Sequence, residues 1–550
     1  MGTPVEWAGF LKTLTAAGGE ISRVIEEFGE NPETELSNWL GGVIYRHWLY
    51  FVALKLRSDK IASSYLKYVV EITDKPADLK KNILTAIIFV QFYKERKEII
   101  GRLIVDKKLS DSDFTELFIY ENRRDLANGL YTLTDRTLPE RKEFISLLAS
   151  LGADAVVRRA TAAYSALSDY MHEYTFTDPK VTADLNALFT KYFDRYKKQK
   201  VENVIDGDFV AEIEDLAKKR VYNKLRTRSE VLASVGDKSN TFLLWIDALG
   251  VEYLAFIQRL CAQKGLSLRI NIAQADLPTI TSVNKAFYDD DDFKAKEKIE
   301  LLDELKHKAS SVYSYETEQL PVHLAQELDV IADAIEHAKI KLVSEKPVAR
   351  VLIVSDHGAS RLAVINGQEE KYETDTKGEH GGRCCKRPAD FSPTAYDLPF
   401  ATESSDRQFL VLANYGRFKG SRKANVEVHG GASLEEVVIP VIEITLVNPN
   451  TKIELIDGDK LCASFRKPIV FTLFSKTELQ SAKVVIKGKS EHFNAVKKDK
   501  NHYQVTTDIK RPGEYYADVF DGDSLVDAVM LTVQSETQKK SGGEDFDSLF

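Results

Sequence analysis

The spacing of apolar residues changes along the chain and divides it into four stretches. Up to about residue 235 apolar positions recur at helical intervals, as at Leu185, Leu188, Phe189, Tyr192, Phe193 and Tyr196, with polar residues between them. That period predicts an all-helical N-terminal domain over 1–235. From 236 to 448 short apolar runs alternate with helical patterns: Phe242 to Ile246, then Val251 to Cys261, later Val348 to Val354, then Phe409 to Ala413. This alternation predicts an α/β domain on a mostly parallel sheet, with polar residues of interest at the carboxyl ends of strands, where such sheets bind ligands. Over 449–535 the pattern shortens to alternating strands such as Ile469 to Phe474, Lys483 to Ile486, Tyr503 to Thr507 and Ala528 to Val533, which predicts a small β-sandwich. Residues 536–550 form a polar, Gly-containing acidic tail, expected to be disordered unless bound. Its terminal FDSLF fits a docking peptide, although an inert solvated tail is the simpler reading.

Composition adds bounds. A chain of 550 residues is too long for one core, and 43% hydrophobic with 29% charged residues is ordinary for globular domains. The net charge of −9 gives no global reason to bind nucleic acid. A local basic run, Lys218, Lys219, Arg220, Lys224, Arg226 and Arg228, could meet phosphates but reads more simply as a solvated helix face. The start, MGTPVEWAGF, lacks the basic and apolar regions of a secretory signal. The most apolar stretch, Ile83 to Phe92, is about half the length needed to cross a bilayer. Only Cys261, Cys384, Cys385 and Cys462 are present, which makes a disulfide framework unexpected. The expectation is a cytoplasmic protein without a membrane span.

Four features carry the candidate chemistry. FLLWIDALG is an apolar strand ending in Asp247, where a carboxylate faces the crevice, although an aspartate capping the next helix would look the same. VARVLIVSDHGASRL is a strand that ends abruptly in Asp356, His357 and Gly358; adjacent carboxylate and imidazole ligands before a sharp turn suit a metal better than a core. ADLPTITSVNKAF clusters Thr279, Thr281 and Ser282 where a loop enters a helix; such hydroxyls cap helices by default, but a nearby metal makes one a nucleophile. VEVHGGASLEEVVIPVIEI sets His429 before two glycines, and Ser433 with Glu436 opens a helix as a capping box.

In this order the four features resemble the PglZ domain of the alkaline phosphatase superfamily, found in bacterial anti-phage systems, over roughly residues 240–445. The resemblance implies an alkaline-phosphatase-like core in which Asp247, Asp356 and His357 hold one divalent metal beside the nucleophile and His429 belongs to a second. Mixed His and Asp ligands make zinc the expected ion at both. The PTxT pattern of the phosphodiesterase branch matches Pro278 to Thr281, which implies Thr281 as nucleophile with Thr279 in reserve. Asn284 could donate to a phosphoryl oxygen or be a plain surface asparagine. For the second metal the superfamily commonly offers an aspartate four residues before a histidine. Asp333 and His337 have that spacing, but on a helix starting near Pro321 they would lie on the order of 18 Å along it, away from the strand ends. SSVYSYE reads as a strand ending at Glu316, so Glu316, Glu318 and His323 are the better-placed ligands, with Gln319 where the usual aspartate would precede His323.

GEHGGRCCKRP brings His380, Arg383, Cys384 and Cys385 together. Two adjacent cysteines chelate poorly, and Arg383 is more useful as a phosphate-binding fork. A Walker A loop, a C-x5-R loop and the sulfatase C-x-P-x-R motif are absent from the sequence. The expectation is thus a two-metal phosphoesterase, a phosphodiesterase by the PTxT pattern, with a phosphate ester in a nucleic acid, a nucleotide or a modified protein as substrate. The resemblance further implies BREX phage defence, closest to the type 4 layout, with other BREX proteins reached through the helical domain, the β-sandwich or the tail. Two rivals stand beside it: a metal-stabilised scaffold with vestigial hydrolysis, and a nuclease acting on phage DNA, against which the acidic charge counts.

Overall fold

The computed structural model describes residues 3–36, 44–85, 92–113, 133–151, 163–307, 320–344, 346–366, 371–372, 377–389, 391–392, 399–420, 424–446, 453–456, 461–463, 467–486, 492–522 and 524–535. Glu316, Glu318, most of the apolar stretch after Thr85 and the whole acidic tail lie outside these. The chain forms two compact units, Met1–Ser168 with Val322–Ala325, and Asp169–Pro321 with Gln326–Phe550. Among the described residues no helix is long and apolar enough to cross a membrane, and the four cysteines are free.

The first unit is helical, with helices at Pro4–Ala16, Ile44–Leu56, Ser64–Ile72, Tyr93–Val105 and Leu138–Leu151. Its first helix starts where the sequence says it should, with Pro4 inside a Thr3/Glu6 capping box. Fully buried Arg96 donates to the Leu84 carbonyl at 2.6 Å. Nearby Glu140 accepts from both hydroxyls of Thr134 and Thr137.

The second unit begins with the helices Ala183–Glu202 and Gly207–Lys219, then builds a five-stranded sheet. Its strands are β1 Thr241–Ile246, β2 Leu266–Gln274, β3 Ala295–Ile299, β4 Arg350–Val354 and β5 Val438–Leu446, in the order β2-β5-β4-β1-β3. The central β1 is buried at every position, as a strand covered on both faces must be. It pairs in parallel with β3 and β4, whereas β5 is antiparallel to both β2 and β4. The sheet is therefore mixed, with one reversed strand among four that share a direction. Pro440 is tolerated in β5 because it precedes the first β4 partner, Val441 opposite Val354, and because its own β2 partner, Ile272, sends its N–H to Asp178 instead of to β5. One face of the sheet packs Leu243, Trp245, Leu352, Val354, Ile439 and Val441 against Phe287 and Phe293.

The run at Phe409 that reads as a further strand of this sheet belongs elsewhere. Phe409–Leu412 lies in a separate antiparallel sheet with Gly378–Glu379, Cys384–Lys386 and Ala401–Glu403. After residue 452 the described residues form eight strands in one hydrogen-bonded order. They curl around Phe471, Leu473, Val484, Tyr503, Val505 and Leu531. Ile469–Ser475 shows the alternation from which that all-β region is legible, its odd positions buried and its even ones turned outward.

The topology decides where chemistry can occur. β1, β3 and β4 run in parallel, so the residues that follow them emerge at one edge; β5 runs the other way, so the loop preceding it arrives at that same edge. β2 ends there too, since Gln274 is opposite Val438 at the start of β5. Five chain crossings thus deliver side chains to one crevice.

Candidate metal centre

Asp247 follows β1, and Asp356 with His357 follows β4 just after the Trp245–Val354 pair. One donor atom from each of the three lies within 4.8 Å of the others. Each carboxylate has one oxygen tied to protein and one turned to the centre. Asp356 Oδ1 accepts from Ala248 N at 3.2 Å and Trp245 Nε1 at 3.3 Å, while Oδ2 is buried with no hydrogen-bond donor and lies 3.3 Å from His357 Nε2. Asp247 Oδ2 takes the Lys298 ammonium at 2.8 Å, and Oδ1 faces His357 Nε2 at 3.8 Å. Burial, then the charge of Asp356, pushes the Asp247 carboxyl up to about 7 in spite of Lys298. His357 Nδ1 meets the Gly358 carbonyl at 3.1 Å, which leaves Nε2 for the centre. Gly358 has to be glycine, because a Cβ there would sit 2.1 Å from the Glu435 carbonyl oxygen.

A second group stands beside the first. Asp303 and His307 lie on Leu301–His307, the helix that follows β3, and His429 on the loop before β5. His429 Nδ1 meets the Thr279 carbonyl at 2.8 Å, so its Nε2 points at His307 Nε2, 2.8 Å away. Burial, then the charge of His357, holds His429 well below the usual imidazole range and hence neutral. A neutral ring whose Nδ1 carries the proton presents a lone pair, and such a lone pair this close to a second imidazole nitrogen calls for a cation or proton between them. Asp303 Oδ1, buried without a hydrogen-bond donor, lies 3.2 Å from His307 and 3.7 Å from His429. Although burial opposes it, the His307 contact and the neighbouring imidazoles keep the Asp303 carboxyl below the ordinary range. The rings of His357 and His429 stack at 4.1 Å between centroids, which makes the two groups one centre. Orphaned carboxylate oxygens and converging imidazole nitrogens are the donor set that two divalent ions need.

Thr281 opens the short helix Thr281–Asn284, with Oγ1 3.2 Å from His357 Nε2 and 3.5 Å from Asp247 Oδ1. Thr279, two residues earlier, is fully buried and spent on the glycine loop, donating to Gly431 O at 2.7 Å and accepting from Gly430 N at 2.9 Å. Asn284 is buried rather than on the surface, its amide shared among Asp276, Pro278, Ile280 and Arg228, so it braces the loop that carries Thr281. Arg383 is not a free fork. Its guanidinium is filled by Glu436 at 2.8 Å and 3.1 Å and by the carbonyls of Gly416 and Leu412. Arg228 leaves the solvated face expected of the basic run, is buried, and donates to the Asp356 carbonyl at 2.8 Å.

His323 is buried and belongs to neither of these two groups. Glu316 and Glu318 fall outside the described residues. His337 is engaged by Glu297 at 3.0 Å and touches Phe242, at the start of β1 and the far end from Asp247. The pair that sequence reasoning missed is Asp303 with His307. It has the aspartate-four-before-histidine spacing, in LLDELKH, and that spacing was the signal.

Residues 327–444 match the family model of the BREX system PglZ alkaline phosphatase-like domain, so the chain carries a PglZ domain. Residues 1–151 and 451–536 match two domains of unknown function, DUF7863 and DUF7862. No curated protein matches the chain.

Two measurements follow from the geometry. Metal-stripped chain titrated with zinc should take up two ions, and Asp303→Asn should reduce this to one while leaving the Asp247 group filled; elemental analysis after dialysis reads the result. Because the Asp247 carboxyl sits near 7, a cation must displace a proton there below that pH. Affinity at that group should therefore rise between about pH 6 and pH 8. Without metal the sign reverses for stability: a raised carboxyl pKa makes ionisation costly in the fold, so the stripped chain loses stability as pH climbs from the ordinary 3.8 through about 7. Melting curves that are flat over this window would contradict it.

Proposed function

We propose that this PglZ-bearing chain is a metal-dependent phosphoesterase, with phosphodiesters as the favoured class, that uses Thr281 as nucleophile in BREX phage defence. The observation that supports this most directly is the Thr281 hydroxyl, 3.2 Å from His357 Nε2 and 3.5 Å from Asp247 Oδ1, beside a second Asp/His/His group. Divalent ions at the two groups, zinc by the donor chemistry, would acidify the hydroxyl and balance charge on the phosphoryl oxygens.

The rest is done by the chain. The short helix holds Oγ1 at the crevice while Asn284 fixes the loop behind it, so the attack angle is set before substrate arrives. The Thr281 hydroxyl gives up its proton to solvent as its oxygen bonds to phosphorus and the ester bond to the leaving alcohol breaks, and that alkoxide takes a proton from solvent. Water then adds to phosphorus and releases the threonine hydroxyl. Lys298, 2.8 Å from Asp247 and 4.0 Å from the Trp245 ring centroid, keeps positive charge beside the approach to Thr281. Other BREX proteins are the proposed partners, met through the domains that flank the catalytic core.

The test is hydrolysis of bis-p-nitrophenyl phosphate against the monoester by the zinc-loaded chain, the stripped chain and Thr281→Ala. The expected result is diester cleavage that needs metal and falls on the order of 10³-fold or more in Thr281→Ala. A chain that holds two ions but cleaves neither ester is a scaffold, and the phosphoesterase reading is then wrong. Cleavage that survives Thr281→Ala assigns attack to another group.

A further inference from the structure

Behind the second ligand group lies a set of buried charges that the proposed chemistry does not use. Lys306, which is 1% exposed, sits between the ligands of its own helix and turns away from them into the interior. Its ammonium donates to Glu427 at 2.7 Å, to the Tyr253 hydroxyl at 2.9 Å and to Glu327 at 3.0 Å, three acceptors for three protons. The other oxygen of Glu427 receives Lys200 at 2.5 Å, and Lys200 also reaches Glu252 at 3.0 Å. Tyr253 in turn donates to Glu327 at 2.6 Å.

The placement matters more than the count. Leu301–His307 is a seven-residue helix, too short to hold itself in place. The side chains of Asp303 and His307 are partly exposed, so the helix is seated by Leu302, Leu305 and Lys306. Glu427 lies two residues before His429, and its N–H also bonds to the Lys306 carbonyl at 3.2 Å. Val428, between them, exchanges backbone hydrogen bonds with Ser360 at 2.7 Å and 3.0 Å, just beyond the Asp356–His357 turn. Thus one residue pair ties the helix of Asp303 and His307 to the loop of His429, and the next residue ties that loop to the first group.

Burying ammonium and carboxylate groups is a poor way to gain stability, since apolar side chains of the same volume do as well or better. What a fully hydrogen-bonded ion pair adds is fixed direction. We propose that Lys306 and Glu427, backed by Lys200, Glu327 and Tyr253, are positioning residues that clamp the second ligand group together and set its cation affinity separately from that of the first. This rests on the reading of the two groups as metal sites.

The experiment titrates zinc into the metal-stripped full-length chain, with a chelating dye as competitor, for wild type, Glu427→Gln and the charge-balanced pair Lys306→Met/Glu427→Leu. Thermal melts of the stripped proteins report folding, and the visible spectrum of cobalt-loaded protein reports coordination. Both variants should fold, bind the first ion as wild type does and bind the second at least about tenfold more weakly, the loss typical of a disturbed outer shell. The cobalt spectrum should lose the contribution of one ion only. Should the paired variant fail to fold, Glu427→Gln, which keeps the shape and most hydrogen bonds, decides. Wild-type affinity at both sites in a folded variant overturns the proposal, and so does an equal loss at both, which would make the network a general support. A wild-type chain that binds fewer than two ions rejects the metal-site reading itself, a different outcome from either.

Discussion

Burying Asp247 beside Asp356 is the constraint on which the second unit depends. Two carboxylates in one dry crevice repel, and the lifted Asp247 carboxyl records that cost. Nothing in the fold cancels it entirely: Lys298 meets only the outer oxygen of Asp247, and the inward oxygen of Asp356 has no donor. The parallel pairing of β1 with β4 makes the juxtaposition unavoidable, because it brings their ends to the same level. A proton on Asp247 or a cation held between the carboxylates relieves this repulsion. The reversed direction of β5 serves the same end, since only a strand running the other way lets its leading loop bring His429 to the crevice that the parallel strands open into.

How much of this can be read from sequence depends on whether a residue announces its own surroundings. Asp356 and His357 do, because a run of four apolar residues, Val351 to Val354, stops just before them. Asp247 does so more weakly, through the same device. Asp303 and His307 do not, although their spacing is right, because the strand that places them is hidden. β3 reads AKEKI, an edge strand with every residue half-buried and no apolar run, so nothing in the sequence says that LLDELKH begins at the end of a strand. The same spacing at Asp333 and His337, on the clearly amphipathic helix Leu324–Val343, is easier to see. Arg383 shows the complementary failure. Its charge is visible, but its partner Glu436 lies on the distant short helix Leu434–Val437, and only folding reveals that Gly431 is glycine so that these two can meet: a Cβ there would come within 2.3 Å of Glu436 Oε2 and 2.5 Å of Arg383 Nη2. Strand type at Phe409 was likewise legible, but membership of a sheet was not.

The second unit also reaches further toward the N-terminus than its α/β pattern suggests. Helix Ala183–Glu202 sends Tyr192 to Glu435 at 2.7 Å, the Tyr196 hydroxyl to the Arg361 N–H at 3.0 Å and Lys200 into the charge network, so it packs as part of the core that holds the site. The residues matched by the PglZ family model contain Asp356, His357 and His429 but begin after Asp247, Thr281, Asp303 and His307. The site is completed by chain that precedes the match, which supplies one of the three residues of the first group and two of the three of the second.

The PTIT segment shows how the site divides its work between neighbouring residues of the same type. Thr279 and Thr281 are two positions apart, and the backbone turn between them sends one hydroxyl inward to the glycine loop and the other to the ligand carboxylate. The inward threonine holds, through Gly430 and Gly431, the loop whose histidine it also orients by its own carbonyl. The position of the Thr281 hydroxyl and the direction of the His429 ring are therefore fixed by one four-residue stretch. A displacement of that stretch would move both at once, which couples the hydroxyl to the centre more tightly than either contact distance alone implies.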